Sequence, residues 1–301
     1  MKKITLYLLL LACANLLLAQ EKLPPRFKLA SSLQEVSGLY RAATDSLWWH
    51  NDSGDTPRLF VSDRCGQIKQ ELTLSNARNQ DWEDITADDA GNIYIGDFGN
   101  NANARQNLKI YRYHPASAKL DSILFQYPDQ RQFPPPGKQA NFDMEGFFWH
   151  QDSLHLFSKN RIGAGNYFTK HYVIAAQPGK QKVHLRDSIY LKNRVVTAAA
   201  ISPDRQAVAL LTYHYKKVLG FIPGTPTTVY VLRNFEDNHF LQGTLYQQKV
   251  VDFMRPTQYE SLDFVDNRSI YIASEQVRFL KPKVKLLKLK TRKWTKKVAT
   301  P

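Results

Sequence analysis

Acidic residues recur at corresponding places along this sequence. Glu83, Glu145 and Glu260 each end a short motif, reading Asp-Trp-Glu, Asp-Met-Glu and Gln-Tyr-Glu. Carboxylates that lie close together bind a cation, pair with Lys or Arg, or hold protons at raised pKa values. A hard cation such as Ca²⁺ is bound by oxygens of carboxylates, amides and backbone carbonyls. We therefore predict a metal site, with Ca²⁺ as the expected ion, whose ligands are Glu83, Asp97, Asn100, Glu145, Glu260 and Glu275.

Further polar side chains are expected beside that site, including Lys and Arg side chains that would hold an anionic group. The predicted ligand-binding residues are Glu35, Asp52, Arg105, Lys159, Arg161 and Tyr213. The alternative is structural: the acids accept backbone N–H groups where strands begin, and Lys159 or Arg105 neutralises the rest. Both interpretations remain open from the sequence.

The sequence contains no complete catalytic motif. Ser53 lies in Asp-Ser-Gly-Asp rather than in a Gly-x-Ser-x-Gly elbow, and the eight His include no His-x-x-x-His pair. A Gly-x-x-x-x-Gly-Lys phosphate loop is absent, and neither 51–55 nor 97–101 has the full EF-hand spacing. The sequence therefore locates a site more clearly than it identifies a reaction.

The segments that must position these residues are nearly all of strand type. Short runs such as 92–97, 108–113, 207–213 and 269–275 are rich in β-branched and aromatic residues and are separated by Gly, Pro, Asn and Asp turns. No long segment beyond residue 19 has a helical period. The pattern is typical of an all-β fold.

These strands repeat in five groups, each opening with a related motif and continuing through four short strands. The openings are anchored at Ser37, Glu83, Glu145, Thr197 and Glu260, so they recur every 46 to 63 residues. This period predicts a β-propeller of five four-stranded blades, with six as the alternative. Residues 26–33 are expected to pair beside the C-terminal strands and so complete the last blade.

The repeat predicts which end of the propeller carries the acids. The first strand of a blade lines the channel and the second returns antiparallel to it, so the start of one and the end of the other share a face. The long connections 98–107, 127–142, 160–168 and 214–227 are predicted on that same face, where binding groups concentrate on rigid scaffolds. Cys65, in a short turn, is expected on the opposite face.

The N-terminus resembles a signal peptide over residues 1–19. Lys2 and Lys3 precede an apolar run at 4–18, and cleavage is expected between Ala19 and Gln20. Cys13 stands in a lipoprotein-like Leu-Leu-Ala-Cys, but lipidation there would leave three leucines at the mature end. We expect residues 20–301 to form one propeller domain, periplasmic or secreted, without a membrane span.

The net charge of the chain is +14, and residues 281–297 contain nine Lys or Arg and no acid. Such an excess is typical of proteins that bind nucleic acid, anionic lipid or an anionic substrate, and Lys also protects exposed sheet edges. No nucleic-acid motif accompanies the charge, so edge protection is the preferred interpretation. We expect no nucleic-acid partner.

The motifs together resemble the SdiA-regulated family of periplasmic propellers and the wider phytase-like and NHL-like propellers. The resemblance spans residues 33–290 and rests on the openings at 35–39, 81–85, 143–147 and 258–262, and on Asp-Phe-Gly-Asn-Asn at 97–101. It implies an exported propeller and a calcium site. Residues 196–200 lack the acid of the other openings, and the chain does not carry a complete phytase site.

Two functions follow as hypotheses. The first is a non-catalytic propeller that binds a small polar or anionic ligand, or a cell-envelope protein, at an acidic channel mouth. The second is a metal-assisted hydrolase of an ester, lactone or phosphoester, with Lys159, Arg105 and Arg161 holding the anion. The absence of a nucleophile–base pair favours the first.

Overall fold

The predicted strands are present and pair into four-stranded sheets. The computed structural model of the chain describes residues 23–43, 46–160, 166–214, 216–218, 222–250, 257–277 and 280–290. The predicted signal peptide and Arg161 lie outside these residues.

Within the described residues, five sheets form the blades of an all-β propeller. Strand β1 (Arg26–Lys28) precedes blade 1, which contains β2 (Val36–Ala43), β3 (Ser46–Asn51), β4 (Arg58–Ser62) and β5 (Ile68–Thr73). Blade 2 contains β6 (Trp82–Ala87), β7 (Ile93–Asp97), β8 (Lys109–His114) and β9 (Lys119–Leu124). Blade 3 contains β10 (Met144–His150), β11 (Ser153–Ser158), β12 (Phe168–Ala175) and β14 (Val183–Tyr190), while β13 (Gly179–Lys180) pairs in parallel with β9. Blade 4 contains β15 (Val195–Ile201), β16 (Ala207–Tyr213), β19 (Thr227–Arg233) and β20 (Thr244–Lys249), with the hairpin β17 (Lys216–Val218) and β18 (Ile222–Gly224) between them. Blade 5 contains β21 (Tyr259–Asp266), β22 (Ser269–Ser274) and β23 (Lys283–Lys288). In the described part of the chain, short 3-10 helices occupy Ser31–Leu33, Gly137–Gln139 and Phe240–Gln242.

The fourth strand of blade 5 comes from the other end of the chain. β1 pairs antiparallel with β23, and Phe27 lies opposite Val284. This confirms the predicted closure for residues 26–28, whereas residues 31–33 leave the sheet as a 3-10 helix. Joining the two chain ends in one sheet closes the ring of blades.

Burial follows the position of each strand within its blade. The inner strands β7, β15 and β16 are buried along their whole length because neighbouring blades cover both of their faces. The outer strand β5 is mostly exposed. Aromatic side chains, among them Trp49 and Trp82, fill the spaces between blades and belong to the core.

The strand directions confirm the predicted blade register. β6, β10 and β21 begin at the end of the channel where the antiparallel second strands finish. The loops 98–107 and 127–142, which follow the second and fourth strands of blade 2, lie at that same end. Cys65 lies in the turn between β4 and β5, at the opposite end, and is exposed.

Candidate functional site

Seven acidic side chains meet at one end of the channel. They form three groups, in each of which one carboxylate oxygen per residue lies within 4.8 Å of the others. The groups are Asp52–Asp81–Glu83, Asp52–Glu260–Glu275 and Glu83–Asp143–Glu145. Asp52 and Glu83 each belong to two groups, so the seven residues form one continuous cluster, which we call the acidic mouth.

A β-bulge lies at the anchor position of every blade. The pairing of first and second strands shifts register between Val36 and Gly38, Trp82 and Ile85, Met144 and Gly146, Val196 and Ala198, and Tyr259 and Ser261. A bulge leaves a residue outside the ladder and re-aims its side chain. The bulges therefore set Glu83, Glu145 and Glu260 apart from the alternating pattern of their strands.

In the two blades without an anchor Glu, a hydroxyl occupies that position. Ser37 donates a hydrogen bond to the backbone carbonyl of Glu83, and Thr197 donates one to the carbonyl of Tyr259 at 3.1 Å. Each hydroxyl thus links one blade to the next. The anchor position therefore carries a hydroxyl that contacts the next blade in blades 1 and 4, and a glutamate in blades 2, 3 and 5.

Burial raises the pKa values of the acidic mouth. It raises the pKa of Asp52 to about 7 and that of Glu275 to about 10, with Glu260 adding to both effects. Burial, together with neighbouring carboxylates, also holds the pKa values of Glu83 and Glu145 well above their usual range. At neutral pH the mouth is therefore expected to hold protons unless a cation replaces them.

Lys159 provides partial neutralisation. Its Nζ lies 2.6 Å from Glu145 Oε1, and the two side chains are 17% and 1% exposed. Burial lowers the pKa of Lys159, but Glu145 together with Tyr213 and Glu260 outweighs it, so the pKa is raised well above its usual value. Lys159 is thus a charged partner for one group of the mouth.

The loop after β7 supports the mouth from one side. Arg105 donates to Asp97 Oδ1 at 2.9 Å and to the carbonyl of Gly99 at 2.7 Å. Asn100 donates to the carbonyl of Phe142 at 3.1 Å, and its Oδ1 accepts from the Arg105 backbone N–H at 2.9 Å. These residues fix the loop against the acids of the mouth.

The predicted metal ligands therefore divide into two sets. Glu83, Glu145, Glu260 and Glu275 meet in the acidic mouth, whereas Asp97 and Asn100 are engaged by Arg105. The role of Asp97 and Asn100 as ligands stays a prediction.

The predicted ligand-binding residues differ in their position relative to the acidic mouth. Asp52 lies inside the mouth, and Lys159 borders it. Tyr213 is buried at the end of β16 on the side of Lys159, and Glu35 is exposed, with its carbonyl accepting from the Asp52 N–H at 2.8 Å.

Asp81 and Asp143 were not predicted to belong to the site. Each precedes an anchor Glu by two residues, directly before the first strand of a blade. The Asp-x-Glu pattern was a usable signal for both. The corresponding residue of blade 5, Gln258, donates to Glu260 Oε1 and Glu275 Oε2, both at 3.3 Å.

No protein-family model matches the sequence, and no curated protein matches it. Among solved structures, an α-L-arabinanase of Penicillium chrysogenum complexed with arabinobiose is similar, with 9% identity, a TM-score of 0.50, and 88% of this chain and 97% of that chain covered. A gluconolactonase of Xanthomonas campestris has 12% identity, a TM-score of 0.43, and coverage of 88% and 95%. The similarity to the arabinanase bears on the fold alone, so the SdiA-regulated or phytase-like resemblance stays a prediction. None of the described helices is long and apolar enough to cross a membrane.

Proposed function

We propose that this protein is an exported binding propeller that holds a divalent cation in its acidic mouth and uses it to bind a small polar or anionic ligand. The observation that carries the proposal is the meeting of seven carboxylates in three groups linked through Asp52 and Glu83. All of these donors are oxygens, which suits a hard cation, and Ca²⁺ is the one we propose.

Electrostatics support a cation in this place. The carboxylates of the mouth are crowded and largely buried, and Lys159 pairs with one of them. A bound cation would replace their protons and relieve their mutual repulsion. It would then present its remaining coordination positions to carboxylate, phosphate or hydroxyl oxygens of a ligand.

A metal-assisted hydrolase is the second candidate, and the raised pKa of Asp52 is the observation that favours it. In the metal-free protein burial raises the pKa of Asp52 to about 7, and a carboxylate at the edge of a metal site is the group that would accept a proton from an attacking water. Hydrolysis of an ester, lactone or phosphoester that is lost with a chelator, restored by Ca²⁺ and weakened in Asp52→Asn would establish this function instead.

The test is elemental analysis of the purified protein together with thermal melting in the presence of calcium. Wild-type protein should melt higher with Ca²⁺, because a ligand that binds only the folded state stabilises it by about 2.7 kcal/mol at a hundredfold excess over Kd. Glu83→Gln keeps the size but removes the charge, so it should lose that increase.

Glu236→Gln is the matched control, since Glu236 is exposed and outside the mouth. It should respond to calcium as the wild type does. Equal responses of Glu83→Gln and wild type would exclude Glu83 as a ligand. An unchanged melting temperature of the wild type with Ca²⁺ would contradict the cation site itself.

A further inference from the structure

The outer edge of blade 5 carries a stripe of basic side chains. Strand β23 and its partner β1 contain no Asp or Glu, and residues 276–301 contain none either. We define the basic stripe by the residues Arg26, Lys28, Lys281, Lys283, Lys285, Lys288 and Lys290. The stripe follows the side of the propeller, whereas the acidic mouth opens at the end of the channel.

The pairing of the two strands places like charges opposite each other. Arg26 lies opposite Lys285, and Lys28 lies opposite Lys283. Residues directly opposite in an antiparallel pair share a face and are close neighbours, and like charges there are destabilising. The fold therefore brings four basic side chains together at this edge, and the Lys283 ammonium also lies 5.8 Å from the centroid of the Tyr259 ring.

Edge protection explains only part of the stripe. The edge strand of blade 5 is β1, and it covers β23 from Lys283 to Lys285. Lysines on a covered strand are not needed to block pairing with another sheet. The interpretation preferred from the sequence therefore applies to Arg26 and Lys28 on the edge strand rather than to the covered part of β23.

The positive surface continues beyond the stripe into a cavity of about 550 Å³ between blades 4 and 5. Arg233, Arg268, Asn267, Leu289 and Asp204 line it. The Asp204 carboxylate accepts bonds within its own turn, from Ser202 and Gln206. Burial raises the pKa of the Asp204 carboxyl group, but these bonds and the nearby Arg233 outweigh it and lower the pKa. Arg268 extends the basic stripe toward the opposite end of the propeller.

We propose that the basic stripe docks the propeller, side on, against an anionic membrane surface. Charge complementarity carries the proposal, because Lys and Arg near anionic headgroups each favour binding.

Docking of this kind is independent of the acidic mouth. Because the stripe runs along the side of blade 5, the channel end stays in the aqueous phase when the stripe faces the membrane. Loss of the calcium site would leave membrane binding intact, so the two proposals fail separately.

The experiment is co-sedimentation with lipid vesicles, using protein that lacks residues 1–19 and retains every described residue. Vesicles of phosphatidylcholine mixed with phosphatidylglycerol should bind the protein, and added salt should release it. Vesicles of phosphatidylcholine alone should not bind. The triple variant Lys281→Glu, Lys288→Glu and Lys290→Glu changes exposed residues and should weaken binding about a hundredfold or more.

The control is Lys138→Glu, Lys180→Glu and Lys182→Glu, which makes the same change in net charge at exposed positions away from blade 5. It should retain most of the vesicle binding. Equal losses in the two triple variants, equal binding to neutral vesicles, or binding to duplex DNA without binding to the mixed vesicles would each overturn the proposal.

Discussion

Gly99 lies directly against the carboxylate of Glu83. A Cβ atom at position 99 would overlap Glu83 Oε1 and the carboxylate of Asp81. Gly99 does not have a positive φ, so what this position requires is space. The backbone of the β7–β8 loop thus forms one wall of the acidic mouth.

Gly99→Ala should therefore damage the acidic mouth more than the fold. We expect the unfolding free energy to fall by about 1–3 kcal/mol, because overpacking forces neighbouring groups to move, and calcium affinity to fall roughly tenfold or more. Gly137→Ala is the matched control, since a Cβ there meets nothing within 4 Å. Calorimetry should show normal calcium binding in this control, and normal binding in Gly99→Ala would contradict the contact.

The stability of the metal-free protein should fall as pH rises from about 4 to about 7. Burial raises the pKa values of Asp52 and Asp263 from 3.8 to about 7, so over this window the folded state holds protons that the unfolded state has lost. Urea unfolding with a chelator, at about pH 5 and about pH 8, measures the change.

Asp52→Asn should reduce this pH dependence and leave the part that belongs to Asp263 and to the other acids whose pKa values are raised, Glu83, Glu145 and Glu275. Calcium affinity should change in the opposite direction and increase with pH, since the cation competes with the protons of the mouth. Stability that rises with pH in the presence of the chelator would contradict the raised pKa values.

Lys159→Met should lower the unfolding free energy by about 3–5 kcal/mol, because it leaves the buried Glu145 carboxylate without its charged partner. The double variant Lys159→Met, Glu145→Gln should lose less unfolding free energy than Lys159→Met alone. Denaturant unfolding of both single variants and the double variant gives the coupling energy. Strictly additive losses would show that the pair is not coupled.

Arg105→Lys should loosen the loop after β7. The Arg105 guanidinium donates to the Asp97 carboxylate and to the carbonyls of Asp97 and Gly99, a fork that an ammonium group does not reproduce. We expect the unfolding free energy to fall by about 1–3 kcal/mol and hydrogen exchange at residues 97–103 to become faster. Arg131→Lys, at an exposed position, should change neither, and unchanged exchange in Arg105→Lys would refute the supporting role.

The sequence by itself determined the all-β class, the five repeated units and the end of the channel at which the acids lie. Alternation of apolar and polar residues is a local property of a strand, and the distance between anchors fixes the four-stranded blade. The closure through Arg26–Lys28 was also predictable, since the last unit lacked a fourth strand.

Only the tertiary structure decided which acids meet. Asp52 comes from the end of β3 and Glu260 from the start of β21, so their contact exists only once the ring of blades has closed. The bulges that re-aim Glu83 and Glu145 depend on pairing between strands. The hydrogen bond from Arg105 to Asp97 likewise depends on how the loop after β7 folds back. The spacing of residues along the chain does not determine any of these contacts.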